Sequence, residues 1–123
     1  MGWCVRGIRG ATTVEENSKA AIEQAVVELM ASICERNVFE PQDIGCVIFT
    51  ATSDLDALFP SQAARCHLRG WENVALLDLA QLEVPGSIPR CIRVLLQINT
   101  PHPQPEIQHV YLRGARGLRP DRV

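Results

Sequence analysis

Cys91-Ile-Arg-Val-Leu-Leu-Gln-Ile-Asn99 and Ile44-Gly-Cys-Val-Ile-Phe-Thr-Ala51 decide the fold class. Both are short, dominated by branched and large apolar residues, and bounded by chain breakers or polar residues, so both read as strands. The Ile44–Ala51 run is apolar nearly throughout, which suits a strand covered on both faces. Working outward, Trp3 to Arg9 gives a first strand that ends at Gly10. Val74–Leu79 gives a third, Cys91–Asn99 is the fourth, and Ile107–Leu112 gives a fifth. Between the first two strands, Ala21, Ile22, Ala25, Val26, Leu29, Met30 and Ile33 recur at helical spacing, so the pattern predicts an amphipathic helix over 17–37. Thr13 with Glu16 fits a capping box, and Asn17 or Ser18 are alternative caps. Pro60 suits the first turn of a second helix over 60–69.

Pro85, Gly86 and Pro89 mark a loop over 80–89, and Pro101, Pro103 and Pro105 mark another over 100–106. The second joins strands without a helix, which implies some antiparallel pairing. Strands mixed with two helices predict an α/β or α+β layer with a mixed sheet. The 123 residues are expected to form a single domain over 1–123. A sheet with so little helical cover leaves an apolar face, and oligomerisation is one way to hide it.

Composition narrows the function. The formal net charge of −2 gives no general attraction to nucleic acid or membranes. Arg113, Arg116, Arg119 and Arg122 form a spaced basic tail, but the overall charge and the 5% aromatic content argue against RNA binding. Lys19 is the only lysine; every other cation is an arginine, whose planar fork suits carboxylates. The five cysteines, Cys4, Cys34, Cys46, Cys66 and Cys91, are odd in number and show no metal-ligand spacing. They read as small buried hydrophobes in a reducing, cytoplasmic setting. No apolar run approaches the roughly 18 residues of a membrane span.

The usual catalytic groups are missing from any recognisable pattern. His67 and His102 read as solvent-facing, and His109 as structural. No nucleophile motif, metal cluster or phosphate loop is present. What remains is a set of arginines at strand ends and loops: Arg6, Arg9, Arg65, Arg90, Arg93 and Arg119. Arg6 and Arg9 differ in strand parity and so face opposite sides. Arg93 sits among apolar neighbours, where a cation is costly without an anionic partner. A salt bridge to Asp78 or Glu83 is one answer; an anionic ligand is the other.

Six motifs then fall in order: Arg6-Gly-Ile-Arg-Gly-Ala-Thr-Thr-Val-Glu15, Thr50-Ala-Thr-Ser-Asp-Leu-Asp56, Phe59-Pro60 with Ala63 and Arg65, Val84-Pro-Gly-Ser-Ile-Pro-Arg-Cys-Ile-Arg-Val94, His109-Val-Tyr-Leu112 and Leu118-Arg-Pro-Asp121. Together they resemble the monofunctional AroH-type chorismate mutases over residues 5–121. The resemblance implies an α+β fold, with a mixed five-stranded sheet packed with helices, in a trimeric pseudo-barrel whose active sites lie between subunits. It implies rearrangement of chorismate to prephenate for phenylalanine and tyrosine synthesis. That reaction is pericyclic, which accounts for the missing nucleophile and implies no metal and no cofactor.

By motif position, Arg93 resembles the arginine that donates to the ether oxygen. Arg9 and Tyr111 resemble carboxylate contacts. Leu77, Asp78, Leu79 and Ala80 resemble the substrate-lining strand, Phe59, Arg65 and Leu118 resemble pocket walls, and Arg119 resembles a closing tail residue. The family's pocket glutamate, twelve residues before Arg93, is Gln81 here, which keeps an acceptor but adds no charge. The family's frequent cysteine is Asp78, which beside a dianion would need to pair with Arg9 or Arg93. Gln62 replaces a common lysine, and there is one extra residue around Cys66–Arg69. An alternative reading is a non-catalytic trimer of the same fold that binds a small carboxylate.

Overall fold

The structure is a computed structural model that describes residues 2–118. Its strands are β1 (Cys4–Thr13), β2 (Ile44–Ala51), β3 (Leu76–Ala80), β4 (Cys91–Thr100) and β5 (Val110–Tyr111). They form one sheet in the order β3-β2-β4-β1-β5. β4 lies at its centre, antiparallel to both β1 and β2, while β2–β3 and β1–β5 are parallel. The sheet is mixed, as expected.

Helix α1 (Lys19–Arg36) buries Ile22, Ala25, Val26, Leu29, Met30 and Ile33, the stripe visible in the sequence. Burying each large side chain is worth about 1.5–3 kcal/mol against exposure. Helix α2 (Pro60–His67) packs beside α1 on the same side. The opposing sheet residues are Ile8, Val47, Phe49, Ile92, Val94, Leu96 and Ile98, all buried. Along β4 the even positions from Ile92 to Thr100 are therefore covered by the helical layer. The odd positions Leu95, Gln97 and Asn99 are exposed on the other face.

Several expectations need correction. β1 runs through Gly10 to Thr13, because Gly10 pairs with Val94 and the ladder continues to Thr13 against Cys91. Gly10 serves close packing instead: a Cβ there would lie 2.8 Å from Ile33 Cδ1 and 3.1 Å from Val94 Cγ1. The α1 cap is Ser18, whose Oγ accepts from the Ala21 amide at 3.1 Å, not a Thr13–Glu16 box. β3 starts two residues later than expected, and β5 contracts to Val110–Tyr111. Of the cysteines only Cys91 is buried; Cys4, Cys34 and Cys66 are exposed. Among the described residues, no helix is long and apolar enough to cross a membrane.

Candidate active site

Register decides which of the candidate residues meet. Arg93 lies opposite Ala11 on β1 and Thr50 on β2, and directly opposed residues share a face. Ala11 in turn opposes Tyr111, and Thr50 opposes Leu79. One row therefore crosses the whole sheet as Tyr111, Ala11, Arg93, Thr50 and Leu79, on the face away from α1. The next row carries Arg9, Leu95, Ile48 and Leu77. Gln81 extends the β3 ladder by donating its amide to Ala51 O at 3.1 Å, which puts it at the end of the same site.

A turn over Arg113–Leu118 folds onto one end of this face, where Ala11, Tyr111 and Ala115 form a small cluster with Leu118 against it. The turn is tied down by Arg113, which donates to Glu28 at 3.1 Å and to Thr13 O at 3.3 Å. His109 Nδ1 accepts from the Arg9 amide at 2.9 Å, so its role here is to hold β1, as a structural histidine does. Arg6 lies on the other side, opposite buried Ile98, and donates to His102 O at 3.2 Å.

The electrostatics of the row are unusual. Among the described residues, four buried polar side-chain atoms have no hydrogen-bond partner: Thr50 Oγ1, Gln81 Oε1, Arg93 Nε and Tyr111 Oη. All four belong to this site, and buried polar groups elsewhere in proteins are nearly always paired. Among the described residues Arg93 takes part in no ion pair, so neither Asp78 nor Glu83 neutralises it. Cys91, two residues earlier on the strand, is hydrogen-bonded to it. Burial pushes the Cys91 thiol up, while the charge of Arg93 and a hydrogen bond from it pull the other way and only partly offset the burial.

Asp78 does something different from what was expected. Its Oδ1 accepts from the Ser61 amide at 3.0 Å and its Oδ2 accepts from the Ser61 hydroxyl. The carboxylate thus sits at the N-terminal turn of α2, where exposed amides and the helix dipole favour an anion. It faces neither Arg9 nor Arg93. Phe59, which precedes α2, is 66% exposed and lines an open cleft of about 620 Å³ together with Pro60, Gln62, Asp78, Leu79 and Ala80. Arg65 is exposed on α2. Within one chain, then, Arg93, Arg9, Gln81, Tyr111, Leu77, Leu79 and Leu118 come together on the open face. Phe59, Asp78 and Ala80 gather at the β3 edge of the sheet, where Leu79 joins them, while Arg65 on α2 does not line that cleft. Arg119 lies outside the described residues.

A family model described as chorismate mutase type I matches residues 5–122. The chain belongs to the type I chorismate mutase family. Among curated relatives of this family, Chorismate mutase AroH of Thermus thermophilus is 50% identical over 118 residues, covering 95% of each chain. Chorismate mutase AroH of Bacillus subtilis (strain 168) is 42% identical over 117 residues, covering 95% of this chain and 91% of that one. A solved chorismate mutase from Clostridium thermocellum superposes with a TM-score of 0.85 at 44% identity, covering 89% of this chain and 96% of that one. The mixed sheet with helices is thus the chorismate mutase fold.

Sequence reasoning missed Thr50 and Cys91 as members of the site. Thr50 could not be found without the β2–β4 register. Cys91 could have been, since two residues along a strand return to the same face.

Proposed function

We propose that this chain catalyses the intramolecular Claisen rearrangement of chorismate to prephenate, in one domain spanning the chain, with Arg93 as its central group. The observation that carries the reading is the set of four unpaired buried polar atoms around Arg93. An arginine Nε, two hydroxyls and an amide oxygen, all lacking partners, fit a small polar dianion.

The chemistry needs no proton transfer. The ether C–O bond breaks as a C–C bond forms, and negative charge gathers on the ether oxygen in the transition state. A donor fixed at that oxygen binds the transition state more tightly than the substrate. Arg93 takes that role, held at mid-row by pairing on both flanks. Arg9 and Tyr111 take the carboxylates, and Gln81 Oε1 accepts from the ring hydroxyl. Confining the substrate to a compact chair supplies the rest through positioning.

The second half of the pocket comes from another copy of the chain. Val5, Leu77, Leu79 and Leu95 leave the open sheet face apolar, a surface that a closed homotrimer would bury. Phe59 and Arg65, remote from Arg93 within the chain, then close a neighbour's site. Exposed free thiols at Cys4, Cys34 and Cys66 fit a reducing cytoplasm.

Following the absorbance of chorismate with micromolar protein tests the activity. An accelerated loss with prephenate as product is expected. Tight prephenate binding with no turnover would instead favour a binding protein of the same fold.

A further inference from the structure

The motif Thr50–Asp56 contains a group that the reaction above does not use. Asp54 is exposed at the surface, yet both of its carboxylate oxygens are engaged. Oδ2 accepts from the Arg90 amide at 2.9 Å, and Oδ1 accepts from the Thr52 hydroxyl. Thr52 Oγ1 in turn accepts from the Cys91 amide at 3.0 Å, and the Thr52 amide donates to Cys91 O at 3.1 Å. One carboxylate therefore orders two consecutive peptide units, those of Arg90 and Cys91. Partial desolvation pushes the Asp54 carboxyl up, but the hydrogen bonds from Thr52 and Arg90 and the charge of Arg90 outweigh it, and the net direction is down.

These units need ordering. Arg90 has φ of 46°, in the left-handed region that non-glycine residues avoid. Two further bonds hold it there: Val14 N donates to Arg90 O at 2.8 Å, and Arg90 Nε donates to Val14 O at 2.9 Å. Ala51 opposite Ile92 is the last regular pair between β2 and β4. Beyond it, on the β2 side, the Thr52–Asp54 relay is what fixes the end of β4. Arg93 lies two residues inside that end and shares its face with Cys91.

We propose that Asp54 is a positioning residue for Arg93, acting through Thr52 and the strained Arg90 backbone to fix the start of β4. The proposal rests on the role given to Arg93 above. Without the carboxylate, the 90–91 unit relaxes out of its strained conformation and tilts the strand end. A displacement well under 1 Å at Arg93 then costs rate rather than binding.

The Asp54→Asn substitution keeps the shape but loses the charge-assisted hold on both donors: with its oxygen accepting from the Arg90 N–H, its amide nitrogen donates to Thr52 Oγ1, whose own proton must turn away. The expected result is a five- to twentyfold fall in kcat with KM within twofold and an unchanged assembly state. Glycine tolerates the left-handed conformation, so Arg90→Gly in the Asp54→Asn background should recover most of the lost kcat. Thr52→Val, which removes the relay hydroxyl, should reproduce the kcat loss and carries the test if Asp54→Asn fails to fold. An unchanged kcat in a folded Asp54→Asn or Thr52→Val protein overturns the proposal. So does a kcat loss that Arg90→Gly does not relieve when Arg90→Gly alone keeps the parent kcat, because Asp54 then acts other than through the backbone. If the unsubstituted chain itself shows no turnover, it is the chorismate mutase reading that has failed.

Discussion

Replacing Arg93 by methionine should move activity and stability in opposite directions. Methionine keeps an unbranched apolar stem but is shorter and removes the charge and the donors. In the reaction, losing a donor aimed at developing negative charge costs about 3–4 kcal/mol, so kcat should fall by more than about a hundredfold. In the unliganded fold the same group is a burden. Arg93 Nε is buried with no partner, and no carboxylate pairs with the guanidinium among the described residues. A buried polar group left unpaired costs about 1–3 kcal/mol, and Arg93 is only half-buried, so the low end applies. Arg93→Met should thus gain about 1 kcal/mol, a rise of a few degrees in Tm for a chain of this size. The two readouts are chorismate turnover and thermal unfolding at matched chain concentration, since the proposed assembly would make Tm concentration-dependent. A kcat within tenfold of the parent would refute the role in catalysis. A loss of more than about 2 kcal/mol of stability would show that Arg93 has a structural partner after all.

Gly10→Ala should destabilise the fold by about 1–3 kcal/mol, read by denaturant unfolding, because its Cβ meets Ile33, Val94 and Leu29 within 3.3 Å. Gln81→Leu should lower kcat about tenfold, the worth of one neutral hydrogen bond, with no loss of stability, because Gln81 Oε1 has no partner to lose. The turnover should be flat between about pH 6 and 9, since no proton moves and the shifted groups near the site leave that window. The Asp54 carboxyl is shifted down and stays ionised, and the Cys91 thiol is shifted up and stays neutral. A bell-shaped profile inside the window would point to acid–base chemistry. For folding, the lowered Asp54 pKa adds stability that is complete above its unfolded value of about 3.9 and lost as pH falls through the folded value. Asp54→Asn should therefore show a shallower decline of Tm in acid.

What could be read from the sequence divides along physical lines. Helix α1 was legible because its stripe from Ile22 to Ile33 is a local, periodic signal. The strands Ile44–Ala51 and Cys91–Asn99 were legible as apolar runs between chain breakers, which is also a local signal. Gly10 misled because a glycine near a strand end has two meanings, a turn or a close approach, and only the position of Ile33 on α1 separates them. The site was legible as a roster but not as an arrangement. Arg93, Arg9, Tyr111 and Gln81 are scattered over a hundred residues, and only the order β3-β2-β4-β1-β5 puts them on one face. Asp78 was misjudged because its partner is a helix N-terminus, a feature made by the folded chain rather than by any residue type. Thr50, Asp54 and Arg90 gained meaning only with register and a φ value, neither of which a sequence displays.

If Arg93 of one copy works with Phe59 and Arg65 of another, two differently damaged chains should complement each other. Co-expressing an Arg93→Met chain with a Phe59→Ala, Arg65→Ala chain tests it, each chain being nearly inactive alone. Random assembly into closed rings leaves about a quarter of the sites with both halves intact, so about a quarter of the parent turnover is predicted to return. Activity that stays at the level of the separate variants, in assemblies shown to contain both chains, would contradict it.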